Sequence, residues 1–163
     1  STVERPAHPG VDIVRVGSAA EMQAAVMPLA PDADVIIMAA AVADFRPATV
    51  ADRKIKKGDG LEAIALERTH DFLVDLGEKK PVGQTLVGFA AETENLEQNA
   101  REKLERKQLD LIVANDVSMA EVGFAHDTNE VLILGAGVQH HVPLASKRAI
   151  ADAVLDAVLE SRR

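Results

Sequence analysis

Apolar and polar positions along the chain fall into short blocks whose period switches between that of strands and that of helices. Asp12–Val16 reads as a short strand closed by Gly17. Ser18-x-x-Glu21 has the form of a capping box and predicts a helix running to about Leu29, ended by Pro31. Val35–Ala41 (VIIMAAA) is a continuous apolar run, the pattern of a central parallel strand. Residues Val42–Gly60 read as a long basic loop, Leu61–Leu66 as an outer strand and Asp71–Glu78 as a short helix. Thr85–Phe89 (TLVGF) and Leu109–Ala114 (LDLIVA) are further apolar strands, separated by a charged helix over Asn95–Lys107. Glu130–Leu134 and Val138–Val142 flank Gly135-Ala136-Gly137 as a hairpin, and Ser146 opens a last amphipathic helix to about Leu159.

This alternation predicts one domain over the whole chain, a three-layer, Rossmann-like α/β sandwich with a mostly parallel sheet and an antiparallel hairpin at one edge. Ligands of such folds bind beyond the carboxyl ends of the strands. That rule singles out the segments after Ala41, Phe89 and Ala114, each of which carries unusual polar residues.

Composition narrows the chemistry. The chain has 163 residues and is 47% apolar but only 2% aromatic, so its core is aliphatic. There is no Cys, which removes disulfides, thiolate metal sites and cysteine nucleophiles. A net charge of −8 argues against general nucleic-acid binding, though a local cluster of lysines can still recognise phosphate. No apolar run has the length of a bilayer span and the start does not read as a signal peptide, so a soluble cytoplasmic protein is expected.

Four segments carry candidate chemistry. In Ala39–Lys57, small residues at a strand end allow close approach of a ligand. Asp44 follows, then Arg46, Arg53, Lys54, Lys56 and Lys57, with Gly58 and Gly60 beyond. Such a run is more often a solvated loop; here it leaves the carboxyl end of the most apolar strand. In Gly88–Gln108, Phe89 ends a strand, where it suits either the core or a stacked base. At about 100° per residue, Leu96, Ala100, Lys103 and Lys107 fall on one helix face. On geometry alone the lysines either snorkel to water or point at phosphates, with nothing to choose between the two. Asn115 and Asp116 follow a buried strand and are also common turn residues. Thr69 is a candidate N-cap for the helix after it, and His70 a candidate base or an ordinary surface histidine. No histidine has a convincing metal-ligand spacing, and neither G-x-G-x-x-G nor G-x-x-x-x-G-K-[ST] occurs, which speaks against a dinucleotide-dependent oxidoreductase.

Taken together, Ala39-Ala-Ala-Val-Ala-Asp-Phe-Arg-Pro, Lys54-Ile-Lys-Lys, Gly88-Phe-Ala-Ala-Glu-Thr and Ala114-Asn-Asp-Val-Ser resemble the phosphopantothenoylcysteine synthetase family, in family order and spacing over nearly the whole chain. The resemblance implies ligation of 4′-phosphopantothenate to L-cysteine with CTP through an acyl-cytidylate, with Mg2+ or Mn2+ accompanying the triphosphate. It makes Lys54 the leading catalytic residue. It places Met38, Ala39, Ala40, Asp44, Lys54, His70, Asp71, Phe72, Leu73, Phe89, Lys103 and Lys107 at the nucleotide, and Lys56 and Asn115 at the substrate. It decides the question left open for Lys103 and Lys107 in favour of phosphate. It also implies a homodimer and, in bacteria, fusion to a flavin-dependent decarboxylase.

The chain departs from the family pattern in two places. Thr69-His70-Asp71 stands where relatives commonly read Asn-Pro-Asp, and the family's leading strand, Gly- and Ser-rich turn and helix do not precede Ser1. The chain is therefore expected to be a piece of a longer domain, and an inactive nucleotide-binding or dimer-forming module is the alternative function.

Overall fold

The computed structural model describes residues 9–54, 63–117 and 126–163. Seven strands and four α-helices alternate: α1 (Ala19–Val26), β1 (Val35–Met38), β2 (Phe45–Pro47), β3 (Leu66–Arg68), α2 (Phe72–Glu78), β4 (Thr85–Glu92), α3 (Leu96–Arg106), β5 (Leu111–Asp116), β6 (Thr128–Gly135), β7 (Val138–Ser146) and α4 (Lys147–Ser161). Five strands form a mixed sheet in the order β1-β4-β5-β6-β7, and β2 pairs with β3 in a separate ribbon. Pairing is parallel within β1-β4-β5 and antiparallel from β5 through β6 to β7.

The sheet is buried on both faces by the period-two alternation of its strands. Leu86, Ala90, Ile112, Ala114 and Leu134 face one cluster with Phe72 and Leu76 of α2 and Ala100 of α3. Val87, Leu111, Val113, Val131 and Ile133 face the other, with Ile150, Val154, Ala157 and Val158 of α4. The four α4 residues recur at helical spacing, and Ser146 starts that helix by accepting from the Ala149 N–H at 3.2 Å. The apolar runs of β4 and β5 thus end in the same direction, with Glu92 opposite Asp116 in the register.

Several elements differ from the sequence reading. Asp12–Val16 is not a strand. A strand needs a ladder partner, and β1, the nearest candidate, pairs only with β4 among the described residues. Val14 and Val16 instead join Met22, Val26 and Ile37 in an open apolar groove of about 300 Å³. β1 is accordingly an edge strand of the described sheet, not a central one, and Ile37 is 39% exposed. The outer strand lies at Leu66–Arg68; of Leu61–Leu66, residues 61 and 62 lie outside the described residues. The long basic loop contains β2. Pro31 sits inside a 3-10 turn over Ala30–Asp32, as its ring permits at a first helical position.

The capping box of α1 closes one residue early. The Ser18 hydroxyl accepts from the Glu21 N–H at 3.2 Å, while the Glu21 carboxylate accepts from the Gly17 N–H at 2.7 Å. At α2 the cap position belongs to Asp71 and not to Thr69; Thr69 instead donates its N–H to the Asp44 carbonyl at 2.8 Å.

Candidate functional site

The parallel strands bring three separated segments to one rim. Met38 of β1 stands opposite Gly88 of β4, Phe89 opposite Val113, and Ala91 opposite Asn115 of β5. Ala39 and Ala40 follow β1 on the exposed side of that rim. Gly88 permits a close approach here, since a Cβ on it would come within 2.6 Å of Leu109 Cδ1 and 3.4 Å of Leu73 Cδ2.

α3 packs on one face of the sheet and carries Lys103, with Lys107 as its C-cap. Ala100 is fully buried, and Leu96 and Leu104 pack on the same cluster, so the helix presents a defined side to the sheet. Asn95 precedes it at φ 49°, a left-handed conformation that Asn tolerates better than most residues. Lys103 and Lys107 are four residues apart, and each lies against a carboxylate from another element. Lys103 Nζ is 2.5 Å from Glu92 Oε1, at the end of β4. Lys107 Nζ is 2.8 Å from Asp71 Oδ2, at the start of α2. Neither lysine simply snorkels away: the side chains are 36% and 18% exposed.

The remaining predicted residues divide into three groups. Asp71 and Asp44 join the lysine region, the latter through its carbonyl contact with Thr69. Phe72 is 3% exposed and belongs to the core, and Leu73 packs beside it, so these two offer a ligand mainly backbone. Phe89 packs against the α4-side cluster, opposite α3. A ligand that touches both Phe89 and Lys103 must therefore lie over the ends of the strands. His70 is bound to Asp75 at 2.9 Å and largely exposed, and no second partner of catalytic type meets it among the described residues.

Lys54 is exposed, and no described contact joins it to the lysine pair. It lies in the connection between β2 and β3, a ribbon whose Arg46 and Glu67 pair at 2.7 Å and whose Phe45 lies under the Arg68 guanidinium at 5.8 Å. Lys56 lies outside the described residues. Asn115 is half-buried near the end of β5. Among the described residues no group of three His, Cys, Asp or Glu side chains could hold a metal ion. No helix among them is long and apolar enough to cross a membrane.

Two neighbours of the lysine pair were given no role by the sequence: Glu92 and Asn99. Asn99 Nδ2 donates to the second oxygen of Glu92 at 3.0 Å, so the carboxylate is held by two residues one turn apart on α3. The Glu in Gly88-Phe-Ala-Ala-Glu-Thr was the available signal, at a strand end four residues before the helix begins.

A coenzyme A biosynthesis bifunctional protein CoaBC of Bacillus subtilis is 47% identical over 148 residues, which cover 90% of this chain and 36% of that protein. The chain thus spans little more than a third of that relative's length. The crystal structure of the C-terminal domain of a coenzyme A biosynthesis bifunctional protein CoaBC superposes with a TM-score of 0.70 at 38% identity, over 89% of this chain and 63% of that one. The fold is also shared with a DNA/pantothenate metabolism flavoprotein from Streptococcus pneumoniae (TM-score 0.73, 21% identity, 99% of this chain and 76% of that one). A family model for the DNA/pantothenate metabolism flavoprotein C-terminal domain matches residues 1–161, and the chain belongs to that family.

Proposed function

We propose that the chain is the part of a coenzyme A biosynthesis enzyme that ligates 4′-phosphopantothenate to L-cysteine at the expense of CTP. The observation that carries this reading is the lysine pair: Lys103 of α3 against Glu92 at the end of β4, and Lys107, the C-cap of that helix, against Asp71 at the start of α2. A nucleoside triphosphate brings several negative charges to one place, and two ammonium groups one helical turn apart suit adjacent phosphoryl groups. The relative's name, a bifunctional protein of coenzyme A biosynthesis, supports the assignment of the pathway.

In the first step the phosphopantothenate carboxylate attacks the α-phosphorus of CTP. A carboxyl–phosphorus bond forms, the bond to the β-phosphate oxygen breaks, and pyrophosphate leaves. In the second step the cysteine amine attacks the activated carbonyl, CMP departs with the bonding pair, and the amine releases a proton. Lys103 and Lys107 neutralise the phosphates that leave, and Lys54 acts at the carboxylate and α-phosphate from the basic segment after β2. Phe89 and the backbone at Met38, Ala39, Ala40 and His70–Leu73 bound the nucleotide, with Asp44 beside them; Lys56 and Asn115 lie toward the acyl substrate. Magnesium enters as the counter-ion of the triphosphate. The longer relative is named as bifunctional, which fits attachment of a decarboxylase outside the stretch matched here. The active unit in this reading is a homodimer, as the family resemblance implies.

Calorimetric titration with CTP and magnesium, with ATP in parallel, tests this reading. The wild-type chain should bind CTP in preference to ATP. Lys103→Ala/Lys107→Ala should weaken binding roughly a hundredfold, as expected for two charge-assisted contacts. A double variant that binds CTP like wild type would sink the proposal.

A further inference from the structure

The two lysines of α3 are held in unlike ways. Asp71, the partner of Lys107, has a side chain 50% exposed and can turn to water when an anion takes its place. Glu92, the partner of Lys103, is only 11% exposed. Its second oxygen accepts from Asn99 Nδ2 at 3.0 Å, and Asn99 also donates to the Glu94 carbonyl at 2.9 Å. The Glu92 carbonyl meanwhile accepts from the Val117 N–H at 2.9 Å, which ties the end of β4 to the turn after β5. Drawing Lys103 away would leave a nearly buried carboxylate with one neutral donor, an arrangement strongly disfavoured. Lys103 therefore keeps Glu92 while it binds anything else.

An ammonium has three N–H donors, and Glu92 occupies one. We infer that Glu92 is a positioning residue: it clamps Lys103 through one N–H so that the other two are presented, already ordered, to a phosphoryl group. Part of this rests on the polyphosphate reading of the lysine pair; the clamp itself rests only on the contacts of Glu92. The flexible lysine stem loses its rotamer freedom on folding and not on binding, and the ligand gains affinity by that difference. The opposing effect is charge. A carboxylate beside the site repels an anion, so a bystander Glu92 would weaken polyphosphate binding and its removal would strengthen it. The two roles predict opposite signs.

Inorganic triphosphate and CTP are titrated into the wild-type chain, Glu92→Gln, Glu92→Ala, Lys103→Ala and Glu92→Ala/Lys103→Ala, each checked for a cooperative thermal transition. Glu92→Ala should weaken triphosphate binding about tenfold through the lost ordering of one long side chain. Glu92→Gln should lose less, since its amide oxygen still accepts from Lys103, and it carries the test if Glu92→Ala does not fold. The double variant should bind no more weakly than Lys103→Ala alone, because Glu92 acts only through that lysine. Equal or tighter binding by Glu92→Ala and Glu92→Gln overturns the inference, as do losses that add in the double variant. If the cycle behaves as expected but CTP binds no better than inorganic triphosphate, the ligase reading falls and the clamp stands. If wild type binds neither, both fall.

Discussion

The two limbs of the rim are built by different physics. The limb formed by β4, α3 and the start of α2 is pinned. Its lysines are partly buried, each has a carboxylate partner from another element, and its helix sits on a core whose central residues are fully buried. The limb that leaves β1 and runs through the β2–β3 ribbon to Lys54 is open, with every side chain of β2 and β3 exposed. Its described side-chain and flanking backbone contacts join β2 to β3 and the residues beside them, among them the Asp44–Thr69 and Ala48–Ala65 backbone bonds and an exposed ion pair between Arg46 and Glu67. Exposed pairs of that kind contribute about 0–1 kcal/mol, far less than the packing under α3. A pinned limb suits a constant part of a ligand, such as phosphates held through every step. An open limb suits the part of a reaction that must admit two substrates in turn and release products. On this contrast, substitutions in the pinned limb should disturb fold and binding together, and substitutions in the open limb should disturb chemistry alone.

Gly77 offers the strongest way to break the contrast. A Cβ on this residue of α2 would stand 2.0 Å from the Lys107 carbonyl oxygen and 3.0 Å from its carbon. Both are backbone atoms, so no side-chain rotation relieves the overlap, and α2 must move away from the end of α3. Gly77→Ala should cost about 3 kcal/mol despite the better helix propensity of Ala. At this chain length that corresponds to a fall of roughly 6–12 °C in the melting temperature. Because Asp71 at the head of α2 meets Lys107, triphosphate affinity should fall as well. A variant with an unchanged melt would show that α2 and α3 are not in contact as described.

Gln84 tests where the open limb is anchored. Its side chain is 8% exposed, and its amide donates to the Ala30 and Ala33 carbonyls at 2.6 and 2.5 Å. These bonds fix the 3-10 turn that leads into β1 against the start of β4. Gln84→Ala should cost about 2 kcal/mol, since it removes buried bonds and leaves carbonyls short of donors. The urea midpoint should fall with an unchanged slope. An unchanged midpoint would mean that β1 is held by its ladder with β4 alone.

The same contrast explains which features could be read in the sequence. β4 and β5 were legible because strands buried on both faces must be apolar throughout, and α4 because its apolar positions recur at helical spacing. The facing of Lys103 and Lys107 followed from their separation by one helical turn. Features that depend on a partner distant in sequence were not legible. Asp12–Val16 has strand composition, but nothing in those residues reveals whether a ladder partner lies beside them. Asp71 displaced Thr69 as the cap residue of α2 because Thr69 is drawn to Asp44, a contact across the β2–β3 ribbon. Glu92 stands in the Gly88-Phe-Ala-Ala-Glu-Thr segment, but the sequence assigns it no role. Its importance lies in the return of α3, which delivers Lys103 and Asn99 to it.

Lys54 should give the smallest change in stability and the sharpest separation of the limbs. It is exposed, it stands apart from the buried clusters, and its side chain has no ion-pair partner among the described residues. Replacing such a residue typically shifts stability by less than about 0.5 kcal/mol. Lys54→Ala should therefore melt like wild type and, on the proposal that Lys103 and Lys107 hold the phosphates, bind inorganic triphosphate with unchanged affinity. If Lys54 stabilises charge at the reacting carboxylate and α-phosphate, the rate of ligation should fall roughly a hundredfold, the usual loss for one such group. Single-turnover formation of the acyl-cytidylate, measured by pyrophosphate release, would place that loss in the first step. A large fall in melting temperature would instead join Lys54 to the pinned limb. An unchanged rate would leave the open limb without its principal catalytic group, and the division of labour between the limbs would have to be abandoned.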